Sequence, residues 1–117
     1  MSDNILVNEI KLVAAVCVQD EVISSAELDS TFNELNKFGK IARDDFDFII
    51  DEFFEEEETL EEYFFNCQNS QIPLKDLIRL CKIAATSDGF ELRENLAFIK
   101  LCRLANLDPE NYFNYEI

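Results

Sequence analysis

Two acidic loops contain the residues with the clearest capacity for chemistry in this chain. In "VQDEVISSAEL", Asp20 is followed seven residues later by Glu27, and in "ATSDGFELRENL", Asp88 is followed by Glu94. Carboxylates in such loops, together with backbone carbonyls, supply the oxygen ligands that suit calcium or magnesium. The chain has no histidine, so neither a zinc site nor a histidine-activated nucleophile is expected.

The loop aspartates also fit a purely structural interpretation. Aspartate side chains accept hydrogen bonds from nearby backbone amides in tight turns, and Gly89 tolerates a positive φ. Neither loop has the dense series of aspartates found in an EF-hand. Two hypotheses therefore stay open for these loops, a tight turn and a cation site.

Both loops belong to an internal repeat. "LVAAVCVQDEVISSAEL" (12–28) and "LCKIAATSDGFELRENL" (80–96) align over 17 positions without a gap. Self-similarity of this kind is typical of duplicated structural units. The repeat predicts two helix-loop-helix units, over residues 4–39 and 73–106, joined by an acidic helical segment.

The quoted loop motifs resemble the TerB-like family, in which a helix of small residues leads to Asp-Gly or a variant and then to Glu-Leu. The resemblance implies an all-helical domain whose two acidic loops come together and bind a divalent cation. It places ligands on Asp20, Glu27 and Asp88. For the fourth ligand, the ungapped alignment of the repeat puts Asn95 opposite Glu27. Deletion of one loop residue from the alignment puts Glu94 there instead. It also implies a role in bacterial stress or defence, such as tellurite resistance.

The charge of the chain is strongly negative and unevenly distributed. There are 25 acidic and 10 basic residues, for a net charge of −15, which opposes direct binding to nucleic acid or to an anionic membrane. From Asp44 to Glu62 there are 11 acidic and no basic residues in 19 positions. This segment has two interpretations: a solvated helix face that keeps the protein soluble, or a mimic of nucleic-acid phosphates that binds a basic protein.

Other motifs favour a cytoplasmic, non-enzymatic protein that acts through a protein partner. No Gly-rich phosphate loop or activated nucleophile is present, so no catalytic mechanism is defined. The four cysteines form no Cys-x-x-Cys pair and fall mostly at inward helical positions, as expected of reduced core thiols. No apolar run approaches the roughly 20 residues of a membrane-spanning helix, so membrane insertion is not expected.

Helical periodicity runs through almost the whole sequence, which predicts one all-α domain over residues 1–117. Capping boxes begin helices at Ser24 and Thr59, and Asp44 or Asp45 is expected to cap the helix between them. In that acidic helix the residues predicted to face inward are Phe46, Ile49, Ile50 and Phe53. In the helix after the second loop they are Leu92, Leu96, Ile99 and Cys102. A short terminal helical turn with Tyr112 and Phe113 is expected after Asp108 and Pro109.

Overall fold

The structure, a computed structural model, describes residues 6–18, 23–70, 72–85 and 92–108. These residues contain six helices and no strand, so the prediction of a single all-α domain is confirmed. The helices are α1 (Val7–Cys17), α2 (Ser25–Leu35), α3 (Arg43–Glu55), α4 (Leu60–Asn66), α5 (Leu74–Ala85) and α6 (Leu92–Leu104).

Helix α1 is the centre of the domain. It packs against each of the other five helices, and every residue from Glu9 to Cys17 is buried. Ile10 and Leu12 are two residues apart and so lie on different sides of this helix, yet both are fully buried, as is Val16. A helix that is buried on several sides belongs in a core, and α1 therefore supports the helices that surround it.

Both predicted capping boxes are present. The Ser24 hydroxyl accepts a hydrogen bond from the Glu27 amide, and the Ser24 amide donates to Glu27 Oε1, each at 3.0 Å. At the start of α4 the Glu62 amide donates to Thr59 Oγ1 at 3.2 Å, and the Thr59 amide donates to Glu62 Oε1 at 2.7 Å. These reciprocal bonds satisfy backbone groups that a helix start leaves without partners.

The predicted cap of α3 is wrong, whereas its predicted buried face is confirmed. Ala42 is the N-cap residue and makes no side-chain cap, so Asp44 and Asp45 lie inside the first turn. There the carboxylates interact favourably with the positive end of the helix dipole without accepting the capping bond. The four buried residues of α3 are those that the periodicity predicted: Phe46, Ile49, Ile50 and Phe53.

The buried face of α6 differs in part from the prediction. Cys102 is buried as predicted, but Leu96 is 57% exposed and Ile99 is only partly buried, and the side chain of Leu92 lies outside the described residues. Among the described side chains of α6, the buried ones are Ala97, Phe98, Leu101 and Cys102. Apolar residues occur on both sides of α6, so periodicity alone does not fix which side turns inward. Packing against α1, α4 and α5 selects the side that encloses the large ring of Phe98.

Helix α6 ends in a Schellman motif at Asn106, whose φ is 62°. The Leu107 amide donates to the Cys102 carbonyl at 2.8 Å, and the Asn106 amide donates to the Arg103 carbonyl at 3.0 Å. This pattern ends a helix on a residue in the left-handed region, where asparagine is tolerated. The expected terminal turn with Tyr112 and Phe113 lies outside the described residues.

Each unit of the sequence repeat contributes a helix pair, α1 with α2 and α5 with α6. The equivalent leucines of the repeat nevertheless have different environments, because Leu28 packs against the core and Leu96 is exposed. The second helix of each pair therefore turns a different face toward the core.

Candidate functional site

The four predicted cation ligands are described to different extents. Asp20 and Asp88 lie outside the described residues, and so do the side chains of Glu94 and its alternative Asn95, whose backbone is in α6. Glu27 is described and is only 2% exposed. The structure therefore locates one of the four carboxylates and does not test whether the set comes together.

Glu27 already has a structural role at the start of α2. One of its carboxylate oxygens accepts the Ser24 amide in the capping box, and its carbonyl accepts the Thr31 hydroxyl at 2.7 Å. Among residues 6–18, 23–70, 72–85 and 92–108, no three acidic or cysteine side chains are grouped as metal ligands would be. The cation site stays a prediction that depends on the two loops.

The acidic helix α3 presents a defined surface to solvent. Its side opposite the buried face carries Asp44, Phe48, Asp51 and Glu55, all exposed, and we call these four residues the outer stripe. Their spacings of four, three and four residues keep them on one side of a helix. Phe48, in the middle of the outer stripe, is 66% exposed.

Ion pairs involve some acids near the outer stripe, but among the described residues they involve none of its own acids. Asp47 pairs with Arg43 at 2.9 Å, and Glu61 pairs with Lys100 at 2.7 Å. Within the described part of the chain, Asp44, Asp51 and Glu55 have no lysine or arginine partner. The outer stripe therefore concentrates negative charge on one line of the surface.

Two further phenylalanine rings are exposed, one near the end of α3 and one near the end of α4. Phe54 is 50% exposed, and Phe65 is 65% exposed. An open depression of about 540 Å³ lies beside Phe65, and its lining residues are Glu57, Glu58, Glu61, Glu62, Phe65 and Asn66. Large exposed aromatic rings are common anchors of protein interfaces, and here they stand among carboxylates.

The end of α3 is fixed to the core by a polar network around Lys11 of α1. The Lys11 ammonium group donates to Glu56 Oε2 and lies 3.1 Å from Glu52 Oε1, while the Tyr63 hydroxyl donates to Glu56 Oε1 at 2.9 Å. Burial lowers the pKa of Lys11, but its bonds to Glu56 and Glu52 outweigh that effect and raise the pKa above its ordinary value. The hydrogen bond from Lys11 lowers the pKa of Glu56, against the opposing effect of burial.

The start of α3 is fixed by Arg43. Its guanidinium group bonds to Asp47 at 2.9 Å and to Asp29 of α2 at 3.1 Å, and it lies over the rings of Phe32 and Phe46 at 5.2 and 5.4 Å. These contacts hold both ends of α3 on the domain, and a surface that is ordered before binding loses less entropy when a partner binds.

The thiols do not form a reactive site. All four cysteines are buried and none is in a disulfide within the described residues, in agreement with the prediction of core thiols. Burial raises the pKa of Cys67 to about 12, with a further contribution from Glu9, and burial raises the pKa of Cys102 to about 11. Nucleophilic cysteines have lowered pKa values, so these residues act as packing groups.

Comparison of the chain with protein-family models, with curated proteins and with solved structures finds no match. The TerB-like resemblance therefore depends on the loop motifs alone. In the part of the chain that the structure describes, no helix has the length and apolar character needed to cross a membrane.

The exposed phenylalanines were missed by reasoning from the sequence, although a signal was present. Phe48 lies four residues after Asp44 and three before Asp51, so helical spacing already places it on the acidic side. Phe54 and Phe65 had no such signal, because each neighbours inward-facing aromatic residues.

Proposed function

We propose that this chain is a non-enzymatic helical interaction module that binds a basic partner protein through the outer stripe of α3. The observation that carries the proposal is the contrast in ion pairing along α3. Asp47 and Glu52 have cationic partners, whereas the acids of the outer stripe have none within the described residues.

The acids of the outer stripe lower the stability of α3 and attract positively charged groups. Like charges one turn apart on a helix repel and reduce its stability by about 0.2–0.5 kcal/mol per pair. A basic partner would remove this repulsion, and the negative field would speed its approach. Solubility does not require the three acids of the outer stripe, because without them the net charge of −15 would still be −12.

The partner could belong to either of two settings, and both require a basic surface. In the first, this surface normally binds nucleic acid, and the chain acts as an acidic mimic, that is, as an inhibitor or immunity-type protein. In the second, which follows the TerB-like resemblance, the module acts in bacterial stress or defence, with calcium or magnesium bound by the loops of Asp20 and Asp88. The first setting depends on the described surface, and the second depends on the loop motifs.

The experiment measures binding of a fluorescent oligolysine peptide to the full chain at increasing salt. We expect affinity to fall steeply with salt, since the contact is electrostatic. Neutralising the outer stripe should weaken binding roughly tenfold, the effect of about three surface ion pairs. The test variant is Asp44→Asn/Asp51→Asn/Glu55→Gln.

A matched control neutralises three acids that already have cationic partners on the surface of the protein. Asp29 pairs with Arg43, Glu34 with Lys37 and Asp76 with Arg79, each at 3.1 Å. The control variant, Asp29→Asn/Glu34→Gln/Asp76→Asn, changes the net charge equally and should bind nearly as the natural chain does. Equal weakening in both variants would show that only the total charge matters and would refute the outer stripe as the binding surface. Binding of labelled duplex DNA to the natural chain would also contradict the proposal.

A further inference from the structure

We infer that the partner contacts α3 with a basic amphipathic helix, which lies along the outer stripe and takes Phe48 as its apolar anchor. The inference builds on the proposed function, because it assumes a basic partner and specifies the form of its contact. It predicts an interface with both apolar and ionic contacts, whereas a nucleic-acid mimic would make ionic contacts alone.

The spacing within the outer stripe supports a helical partner. Asp44, Phe48, Asp51 and Glu55 follow one another at intervals of four, three and four residues, which is the spacing of the contact positions in a helix-helix seam. The stripe covers about 16 Å of helix axis at 1.5 Å per residue. A partner helix of three or four turns would therefore cover its whole length.

The position of Phe48 specifies the chemistry of the partner. At 66% exposure its ring contributes a large apolar surface, with Asp44 one turn before it and Asp51 one turn after it. A complementary helix needs an apolar residue opposite the ring and lysine or arginine opposite the carboxylates. Burial of an exposed aromatic ring at the centre of an interface is a typical source of binding energy.

The surroundings of α3 leave this side free for a partner. Of the helices, α1 is the one on which α3 packs extensively, and its contacts use the buried face of Phe46, Ile49, Ile50 and Phe53. Lys11 and Arg43 hold the two ends of α3 without touching the outer stripe. A partner could therefore bind without displacing any part of the described domain.

The test compares two synthetic helical peptides of about 20 residues, long enough to be helical. One carries lysines with leucine along a single stripe, and the other has the same lysines with glutamine in place of leucine. We expect the leucine peptide to bind the natural chain more tightly. The Phe48→Ala variant should lose roughly tenfold in affinity for it and should bind the glutamine peptide unchanged.

The chain offers a matched control in Phe38, which is 44% exposed. It lies between α2 and α3, with Lys37 and Lys40 near it in the sequence. Phe38→Ala removes the same side chain outside the outer stripe and should bind both peptides as the natural chain does. Since Phe48 and Phe38 are both exposed, neither change should alter the melting temperature measured by circular dichroism.

The possible outcomes distinguish this inference from the proposed function. Equal binding of the two peptides, unaffected by Phe48→Ala and lost on neutralising the outer stripe, would refute the anchored helix and leave the basic partner intact. Binding that survives neutralisation of the outer stripe would refute both. An equal loss in Phe38→Ala and Phe48→Ala would show nonspecific apolar contact and would overturn the inference.

Discussion

Replacement of Lys11 by methionine should destabilise the protein by about 2 kcal/mol. Methionine retains most of the apolar stem, whereas the change removes a charge-assisted hydrogen bond to Glu56, a type worth about 1.5–3 kcal/mol. The Lys11 side chain is 11% exposed and that of Glu56 is 27% exposed, so solvent screens the bond only in part. The pair with Glu52, whose side chain is 46% exposed, adds less than about 1 kcal/mol. Easier burial of methionine offsets some of the loss.

The assay is thermal and urea unfolding followed by far-ultraviolet circular dichroism near neutral pH. For a chain of this size about 2 kcal/mol corresponds to a decrease of about 8 °C in melting temperature. Lys37→Met is the control, because it changes the net charge equally but removes a side chain that is 66% exposed and pairs with Glu34. The control should lose less than about 0.5 kcal/mol. Equal losses in the two variants would refute the role given to the Lys11 network.

The difference between the natural chain and Lys11→Met should depend on pH. The pKa of Glu56 is lowered from 4.5 by folding, so its stabilisation is complete above that pH and is lost as pH falls through the lowered value. The pKa of Lys11 is raised from 10.5, so its stabilisation is complete below that pH and is lost as pH rises further. We expect the full difference at about pH 7 and a smaller one at about pH 3. A difference that stays constant over this range would contradict an ionic origin.

Two further predictions concern α6 and the loops. Leu96→Ala should change the free energy of unfolding by less than about 0.5 kcal/mol, whereas Phe98→Ala should lower it by about 3–5 kcal/mol. Urea unfolding measures both changes. Similar losses in the two variants would contradict the observed orientation of α6. If the loops hold a cation, calcium at a hundredfold excess over its dissociation constant should stabilise the natural chain by about 2.7 kcal/mol relative to a chelator. The Asp20→Ala/Asp88→Ala variant should lack this gain, and an equal response in both proteins would favour the tight-turn hypothesis.

Features that depend on neighbouring residues were predictable from the sequence. The capping boxes at Ser24 and Thr59 need only a hydroxyl and a glutamate three residues later, so their signature is complete within four residues. The buried face of α3 was also predictable, because the side of the helix that carries Phe46, Ile49, Ile50 and Phe53 contains no acid, whereas its other sides do. In both cases local chemistry permits a single arrangement.

Features that depend on distant contacts were not predictable. Lys11 lies in an apolar helix, and its partner Glu56 is 45 residues away, so nothing local indicates that its charge is buried and paired. In α6 the choice between Leu96 and Phe98 as a buried residue depends on the shapes of three neighbouring helices.

The candidate site also has some features that depend on neighbouring residues and others that depend on distant contacts. Once Phe46, Ile49, Ile50 and Phe53 are assigned to the buried face, helical spacing places the acids of α3 on its solvent side. Which of those acids have cationic partners depends on Lys11 and Arg43, which lie outside the acidic segment. The predicted cation ligands Asp20 and Asp88 depend on two loops coming together, a relation that spacing within each loop does not determine.

The central position of α1 has a consequence for synthesis of the protein. This helix is synthesised before the helices that cover it. Its apolar surface is therefore fully covered only after α6 has left the ribosome. From Cys17 to Leu104, synthesis at about 5–20 residues per second takes roughly 4 to 17 seconds. During this time Val13 and Val16, both fully buried in the finished domain, are available to chaperones and to other nascent chains. Mutations that slow docking of α6 should therefore reduce the yield of folded protein before they reduce its stability once folded.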